Sequence, residues 1–122
     1  MSGSQNIAWI LEGNIKDYDA LMGVMAEMVA AVKPEPGTLN YEWVVSEDKS
    51  TLIVYERYLD IPSTTLHLVT FNSFAPKFFE VFETTQFTVL CELPPEIKEA
   101  VSGLNPRYMT PLGGFPIGGA RD

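Results

Sequence analysis

The apolar and polar positions in the first half of the chain follow first the period of a strand and then that of a helix. Residues 6–15 are rich in β-branched and aromatic side chains and predict a strand, which stops where Asp17 offers a helix N-cap. Beyond Asp17 the apolar residues recur every three or four positions and predict a helix that ends before residues 34–37: Tyr18, Leu21, Met22, Met25, Met28, Val29 and Val32. Residues 38–46 and 51–59, joined by a short polar stretch, predict a β-hairpin.

The second half of the chain predicts a helical layer, a last strand and a Pro/Gly-rich end. Asp60-Ile-Pro62 indicates a helix start, because proline is favoured in the first turn. Phe71-Asn-Ser73 predicts a break in this helix, and Ala75-Pro76 predicts the start of a second piece. Residues 87–93 predict the last strand and residues 94–103 a short helix. Residues 105–122 predict an extended arm or a disordered tail.

The element order β-α-β-β-α-β predicts an α+β fold of the ferredoxin-like type, an antiparallel sheet with helices on one face. With 122 residues, the chain predicts a single domain over 1–122, with its core at about residues 5–93 and the short helix and tail at 94–122. The strands carry apolar residues on both faces. In the third strand, Val54 and Tyr58 face one side, whereas Ile53 and Tyr55 face the other. A sheet with helices on only one side should carry polar residues on its other face. Because that face is apolar here, we expect a second copy of the chain to cover it in a homodimer.

Composition narrows the classes of partner. The formal charge is −8, from 16 acidic against 8 basic residues, and no Lys/Arg cluster is present, so neither a nucleic acid nor a membrane partner is expected. Cys91 is the single cysteine, which favours a reducing, cytoplasmic setting, and no Cys/His spacing indicates a metal site. The sequence shows no signal peptide and no apolar run long enough to span a membrane.

Three elements of the sequence together resemble the antibiotic biosynthesis monooxygenase (ABM) domain family. They are Glu-Pro-Gly-x-x-x-Tyr-Glu at 35–42, Glu-x-Tyr-x-Asp at 56–60, and the single histidine, His67. The resemblance covers roughly residues 5–93 and implies a dimeric α+β barrel with a pocket between sheet and helices in each subunit. Family members often carry a second histidine five residues after the first. That position is Asn72 here, so the resemblance does not extend to a two-histidine mechanism or to a metal site built from the pair.

The resemblance implies a monooxygenase that needs no metal, flavin or other cofactor. Such an enzyme oxidises an electron-rich phenolic molecule with dioxygen, inside an apolar pocket that supplies a base and hydrogen-bond donors. His67 is the candidate base or donor, since its unperturbed pKa lies near neutral pH. The other candidate catalytic residues are Tyr55 and Tyr58 as donors, Arg57 as a cation for an enolate oxygen, and Glu56 as base or as the partner of His67. The candidate substrate-binding residues are Trp9, Tyr41, Glu42, Trp43, Phe71, Asn72 and Phe74.

Two other functions and a structural alternative remain open at this stage. His67 would serve as the axial ligand in a haem-binding or haem-degrading protein of the same superfamily. The chain would otherwise be a non-catalytic dimeric module that binds an apolar small molecule. At the level of single residues, the strand aromatics and His67 are also compatible with packing. Glu56 and Arg57 are also compatible with structural ion pairs.

Overall fold

The computed structural model describes residues 6–115, which form a single sheet with helices packed against it. The elements are β1 (Ile7–Ile15), α1 (Tyr18–Val32), β2 (Thr38–Val45), β3 (Thr51–Tyr58), α2 (Ile61–Val81), β4 (Phe82–Val89), α3 (Pro95–Val101), a 3-10 turn (Ser102–Leu104) and β5 (Arg107–Tyr108). The strand order is β2-β3-β1-β4-β5, with every pair antiparallel except β4 and β5. The predicted α+β, ferredoxin-like fold is confirmed.

The core lies between the sheet and the helix pair α1 and α2, which pack against each other. We call the face of the sheet that meets these helices the inner face; Trp9, Val54 and Phe87 lie on it and are almost fully buried. The opposite side, the outer face, carries Ile10, Ile53, Tyr55, Arg57 and Val44, as strand alternation and the register of β1, β2 and β3 require. Both faces of the sheet therefore carry apolar side chains, as the sequence indicated.

Both long helices begin at the aspartates that the sequence indicated. The Asp17 side chain accepts a hydrogen bond from the backbone N–H of Ala20 at 3.0 Å, and that of Asp60 accepts one from Ser63 at 2.9 Å. Each carboxylate satisfies a donor that the first helical turn leaves without a partner. The predicted starts of α1 and α2 are confirmed.

The predicted break at Phe71-Asn-Ser73 is wrong. Helix α2 runs without interruption from Ile61 to Val81 and contains Pro76 in its interior. Proline there removes one helical hydrogen bond and costs about 3 kcal/mol or more in an isolated helix. Phe71 and Phe78 lie on the side of α2 that faces the core, so tertiary packing outweighs this local penalty.

The predicted start of the last strand at Phe87 is also wrong, because β4 begins five residues earlier. Phe82 directly follows α2 and is already extended, with φ −144° and ψ 138°. Near this end β4 approaches β1 so closely that a Cβ on Gly13 would lie 2.1 Å from the carbonyl oxygen of Glu83. A register shift next to Gly13 accompanies this approach. The polar run before Phe87 therefore belongs to the sheet.

Within residues 105–115, the part of the predicted arm or tail that the structure describes, one short strand is present. Arg107 and Tyr108 pair with Thr88 and Val89 as a short parallel edge strand. Leu112 and Phe115 are exposed. The remainder of the predicted arm, from residue 116 onward, lies outside the described residues.

Candidate functional site

A chain of three ionisable side chains crosses the interior of the protein, with His67 at its centre. Nδ1 of His67 lies 3.1 Å from Oε1 of Glu35, and Nε2 lies 3.3 Å from Oε1 of Glu56. The exposed fractions of the three side chains are 3% for His67, 6% for Glu35 and 10% for Glu56. We refer to these residues as the Glu35–His67–Glu56 array.

Each member of the array comes from a different element. Glu56 projects from the inner face of β3, His67 from the buried side of α2, and Glu35 from the turn between α1 and β2. Gly37 holds this turn against the first turn of α2, where a Cβ would lie 1.8 Å from Oγ of Ser63. A side chain at position 37 would push the turn away from the helix, so the Glu-Pro-Gly element places Glu35 beside His67.

Glu56 is held by three donors that converge on one oxygen. Its Oε1 accepts hydrogen bonds from Nε1–H of Trp9 at 3.0 Å, from the Tyr58 hydroxyl and from the His67 ring. None of the described residues donates a hydrogen bond to the second oxygen, Oε2. Glu56 also contributes to the wall of a pocket, described below. The carboxylate is therefore anchored through Oε1 in the wall of this pocket.

The two carboxylates determine the charge of His67. Burial disfavours the charged ring and lowers its pKa, but the hydrogen bond and negative charge of Glu56, followed by those of Glu35, outweigh burial and raise the pKa above 6.5. A cationic imidazole carries hydrogen on both nitrogens, as two carboxylate partners require. When the ring is protonated, each of its two N–H groups points to one of these carboxylates.

Two tyrosines complete the surroundings of the array. The rings of Tyr58 and Tyr41 lie 5.0 Å and 5.4 Å from that of His67, centroid to centroid. Burial, followed by the negative charge of Glu56, raises the pKa of both hydroxyls above the ordinary value of 10.0. Both therefore stay protonated at neutral pH, and Tyr58 acts as a donor to Glu56.

A pocket of about 320 Å³, which we call the inner pocket, opens beside the array between α2, the inner face of the sheet and the α3 region. Its polar wall consists of Glu56, His67, Asn72 and the indole of Trp9, and the rest is mostly apolar, with Leu11, Leu68, Phe71, Phe79, Phe87 and Leu104. Pockets that bind small molecules have this character, an apolar lining with a few polar groups that fix orientation. Its volume lies near the lower end of the usual range, about 300–1,000 Å³.

The structure brings five of the predicted site residues to the wall of the inner pocket: Trp9, Glu56, His67, Phe71 and Asn72. Tyr58 and Tyr41 contact the array from outside the pocket. Trp43 and Phe74 are partly buried against the core and do not line the pocket; the ring of Trp43 packs on Phe78.

The three remaining candidates lie on the outer face. Arg57 and Tyr55 alternate with Glu56 along β3 and so point away from the inner pocket. Arg57 is buried and donates hydrogen bonds to Asn40 at 2.7 Å and to Asn6 at 2.6 Å. Glu42 is exposed and accepts a hydrogen bond from Asn40. The predicted catalytic roles of Arg57 and Tyr55 stay predictions, and within one subunit these side chains do not reach the array.

Glu35 and Thr38 are the site residues that sequence reasoning missed. The Thr38 hydroxyl donates to Oε1 of Glu35 at 2.7 Å, while Oε2 of Glu35 is buried with no hydrogen-bond partner among the described residues. A signal for Glu35 was present, because its motif and that of Glu56 are two of the three elements that carry the family resemblance. Local motifs contain no information on the distance between them, so Glu35 was not placed beside His67 from the sequence.

The described residues contain no cluster of three or more His, Cys, Asp or Glu side chains arranged to hold a metal ion. Among residues 6–115, none of the helices has the length and apolar character needed to cross a membrane.

Solved structures share this fold. The structure of MupZ from Pseudomonas fluorescens superposes with a TM-score of 0.80 at 16% sequence identity, covering 96% of this chain and 93% of MupZ. SnoaB from Streptomyces nogalater, a cofactor-independent oxygenase, gives a TM-score of 0.63 at 10% identity over 75% of this chain and 96% of its own. A structure described as an antibiotic biosynthesis monooxygenase gives a TM-score of 0.60 at 19% identity, covering 72% of this chain and 99% of its own. No family model and no curated protein sequence matches the chain.

This protein thus has the fold of the antibiotic biosynthesis monooxygenases. The resemblance predicted from the sequence is confirmed at the level of the fold.

Proposed function

We propose that this protein is a monooxygenase that oxidises an electron-rich phenolic or related aromatic molecule with dioxygen, without a cofactor. The observation that carries the proposal is the carboxylate of Glu56, anchored through one oxygen and lining an apolar pocket. Reactions of this type need a base, a dry pocket and donors for a developing oxyanion. The fold shared with SnoaB, itself a cofactor-independent oxygenase, supports the same assignment.

In this mechanism the base is Glu56. Its free oxygen removes a proton from an acidic hydroxyl or CH₂ group of the substrate in the inner pocket. The His67 cation and the Asn72 side chain, which also line the pocket, stabilise the negative charge that develops on the substrate. Trp9 and Tyr58 keep the carboxylate in place, and Glu35 holds the far side of the His67 ring.

The oxidation itself takes place on the substrate. Its anion passes one electron to dioxygen, and the resulting radical pair combines to form a carbon–oxygen bond. The peroxide anion takes back the proton held by Glu56, and the resulting hydroperoxide loses water. A CH₂ group thus becomes a carbonyl, one oxygen atom enters the product and the other leaves as water. The protein contributes the proton acceptor, the donors and the exclusion of solvent, which together favour formation of the anion.

The haem alternative fits this site less well. An axial histidine needs a nitrogen lone pair directed at the iron. Both ring nitrogens of His67 lie within 3.3 Å of carboxylate oxygens, and releasing either one would leave a buried carboxylate without its cationic partner.

The active form in this proposal is a homodimer that buries the outer face of the sheet. Ile10, Ile53, Tyr55 and Val44 supply apolar surface there, and Val44 is 54% exposed. A second sheet packed on this face would cover these side chains and bring Tyr55 and Arg57 next to a partner.

Oxygen consumption tests the proposed reaction. We expect uptake of dioxygen with anthrone in buffer that contains a metal chelator, above the uncatalysed rate. Replacement of Glu56 by Gln removes the base while keeping its shape, so kcat should fall by about 10²–10⁴-fold. The matched control is Glu47→Gln in the exposed β2–β3 turn, which should keep full activity.

The outcomes separate the candidate functions. Equal rates for Glu56→Gln and wild type would rule out Glu56 as the base. Tight binding of anthrone-like molecules without any oxygen uptake, across a panel of phenols, would instead identify a non-catalytic binding module.

A further inference from the structure

A second pocket adjoins the inner pocket and is about twice its size. We call it the outer pocket; the name does not refer to the outer face of the sheet. Its volume is about 610 Å³, and four residues line both pockets: Phe79, Phe87, Gly103 and Leu104. The two spaces are therefore neighbours separated by a partition of mostly apolar side chains. Glu56 and this partition line the same inner pocket.

The outer pocket differs from the inner one in chemistry. Around it lie Lys16, Glu83, Thr84, Thr85 and Asn105, so its surface is largely polar. Thr84 carries a buried hydroxyl oxygen with no hydrogen-bond partner among the described residues, a costly state that a bound polar group would relieve. The outer pocket thus offers hydrogen bonds where the inner pocket offers apolar contact.

The charges of the outer pocket favour a neutral ligand. Lys16 and Glu83 carry opposite charges, and each already has a partner. Nζ of Lys16 donates to the carbonyl oxygen of Phe79 at 3.1 Å, and Oε1 of Glu83 accepts from Asn14 at 3.5 Å. No net charge remains to select an ionic group. The array inside carries two carboxylates and one cation, which disfavours an anionic ligand there as well.

From this arrangement we infer that the substrate is a two-part molecule. Its compact apolar head, with the acidic hydroxyl or CH₂ group, occupies the inner pocket, and a neutral tail rich in hydroxyl, ether or carbonyl oxygens passes Phe79 and Leu104 into the outer pocket. The inference rests on the proposed function for the identity of the head. The tail fixes the orientation of the head, so that its acidic group faces Glu56.

A matched pair of probes tests the inference by binding alone. We would titrate 2-naphthol and its derivative with a triethylene glycol chain at carbon 6 into the full-length protein by calorimetry. The tailed probe should bind at least about fivefold more tightly, as one net hydrogen bond provides.

Two variants locate the tail. Asn105 has a positive φ of 53°, so Asn105→Gly removes the amide and retains the backbone. Thr84→Val removes the unpaired hydroxyl at nearly constant shape. Each should weaken binding of the tailed probe about fivefold and leave 2-naphthol, the internal control, unchanged.

Failure of this inference is distinguishable from failure of the proposed function. Equal affinities of the two probes, or equal effects of a variant on both, would overturn the two-part substrate while leaving the oxygenase proposal intact. Tighter binding of the tailed probe without oxygen uptake by any phenol would support the two-part ligand and refute the oxygenase. If neither probe binds, the inner pocket is not a site for this class of ligand and both proposals fall.

Discussion

At the scale of single residues, the central feature is a histidine that shares its two N–H groups between two buried carboxylates. Such a cluster carries one net negative charge in a region of low polarity, which is expensive unless hydrogen bonds compensate it. Glu56 receives these bonds from Trp9 and Tyr58, and Glu35 from Thr38. The array thus places two buried carboxylates, each with hydrogen-bond donors, beside an apolar pocket.

His67 is the only histidine, so its titration can be observed without assignment by NMR of the imidazole nitrogens. We expect a pKa above 6.5 in the wild type. Glu56→Gln should lower it more than Glu35→Gln, because Glu56 makes the larger contribution to the increase. With both carboxylates replaced, burial dominates and the pKa should fall below 6.5. An unchanged pKa in Glu56→Gln would contradict the contact between the two side chains.

The same shift has a consequence for stability. A group whose pKa is raised by folding stabilises the protein fully below its unfolded value and loses this contribution as pH rises through the folded value. The contribution of His67 should therefore be complete below about pH 6.5 and disappear above its raised pKa. Urea unfolding of wild type and Glu56→Gln across this pH range measures the contribution of His67 to the free energy of unfolding. If the difference in free energy between the two proteins does not change with pH, the raised pKa of His67 is contradicted.

At the scale of elements, α2 does most to place the site, because it carries His67, Phe71 and Asn72 along one continuous stretch. Sequence reasoning placed a break at Phe71-Asn-Ser73 and a new helix start at Ala75-Pro76. The structure keeps the helix intact, and Pro76 leaves the backbone carbonyl of Asn72, four residues earlier, without its usual helical donor. Local propensity and packing therefore conflict at this position.

Replacing Pro76 measures that conflict. Pro76→Ala restores the helical hydrogen bond and raises helix propensity, so the free energy of unfolding should increase by about 1–3 kcal/mol, partly offset by greater freedom of the unfolded chain. The matched control is Pro62→Ala in the first turn of α2, where a backbone N–H would have no helical acceptor. This change should alter the free energy of unfolding by less than about 1 kcal/mol. Chemical denaturation provides the measurement. Destabilisation by Pro76→Ala would show that the fold requires the proline.

At the scale of the whole molecule, the two faces of the sheet have different roles. The inner face builds the core and the site, whereas the outer face presents apolar side chains that the sequence had already marked as unusual. Dimerisation through this face is the simplest explanation, because apolar side chains gain stability when a second copy covers them.

Light scattering at micromolar concentration should therefore report a dimer. Val44→Lys places a charge on the outer face of each copy and should weaken association at least about tenfold. Val69→Lys serves as control, since Val69 is 64% exposed on α2, and it should leave the dimer intact. A wild-type monomer, or equal effects of the two variants, would rule out this interface.

Much of the fold was predictable from local signals. Asp17 and Asp60 marked the helix starts because N-caps act within one turn, and alternation along β3 placed Glu56 and Arg57 on opposite faces. The early start of β4 was missed because Phe82 fits a helix face as well as a strand. Its conformation depends on pairing with β1, which no local window contains.

The sequence by itself determined the order and type of the main elements, the side of each strand on which a residue lies, and the selection of His67, since periodicity and caps are encoded within a few residues. Only the tertiary structure decided that Glu35 and Glu56, 21 positions apart along the chain, meet on opposite sides of one imidazole. It also decided which aromatic side chains enclose a pocket and which fill the core. These outcomes depend on distances between elements, and such distances arise only when the whole chain packs.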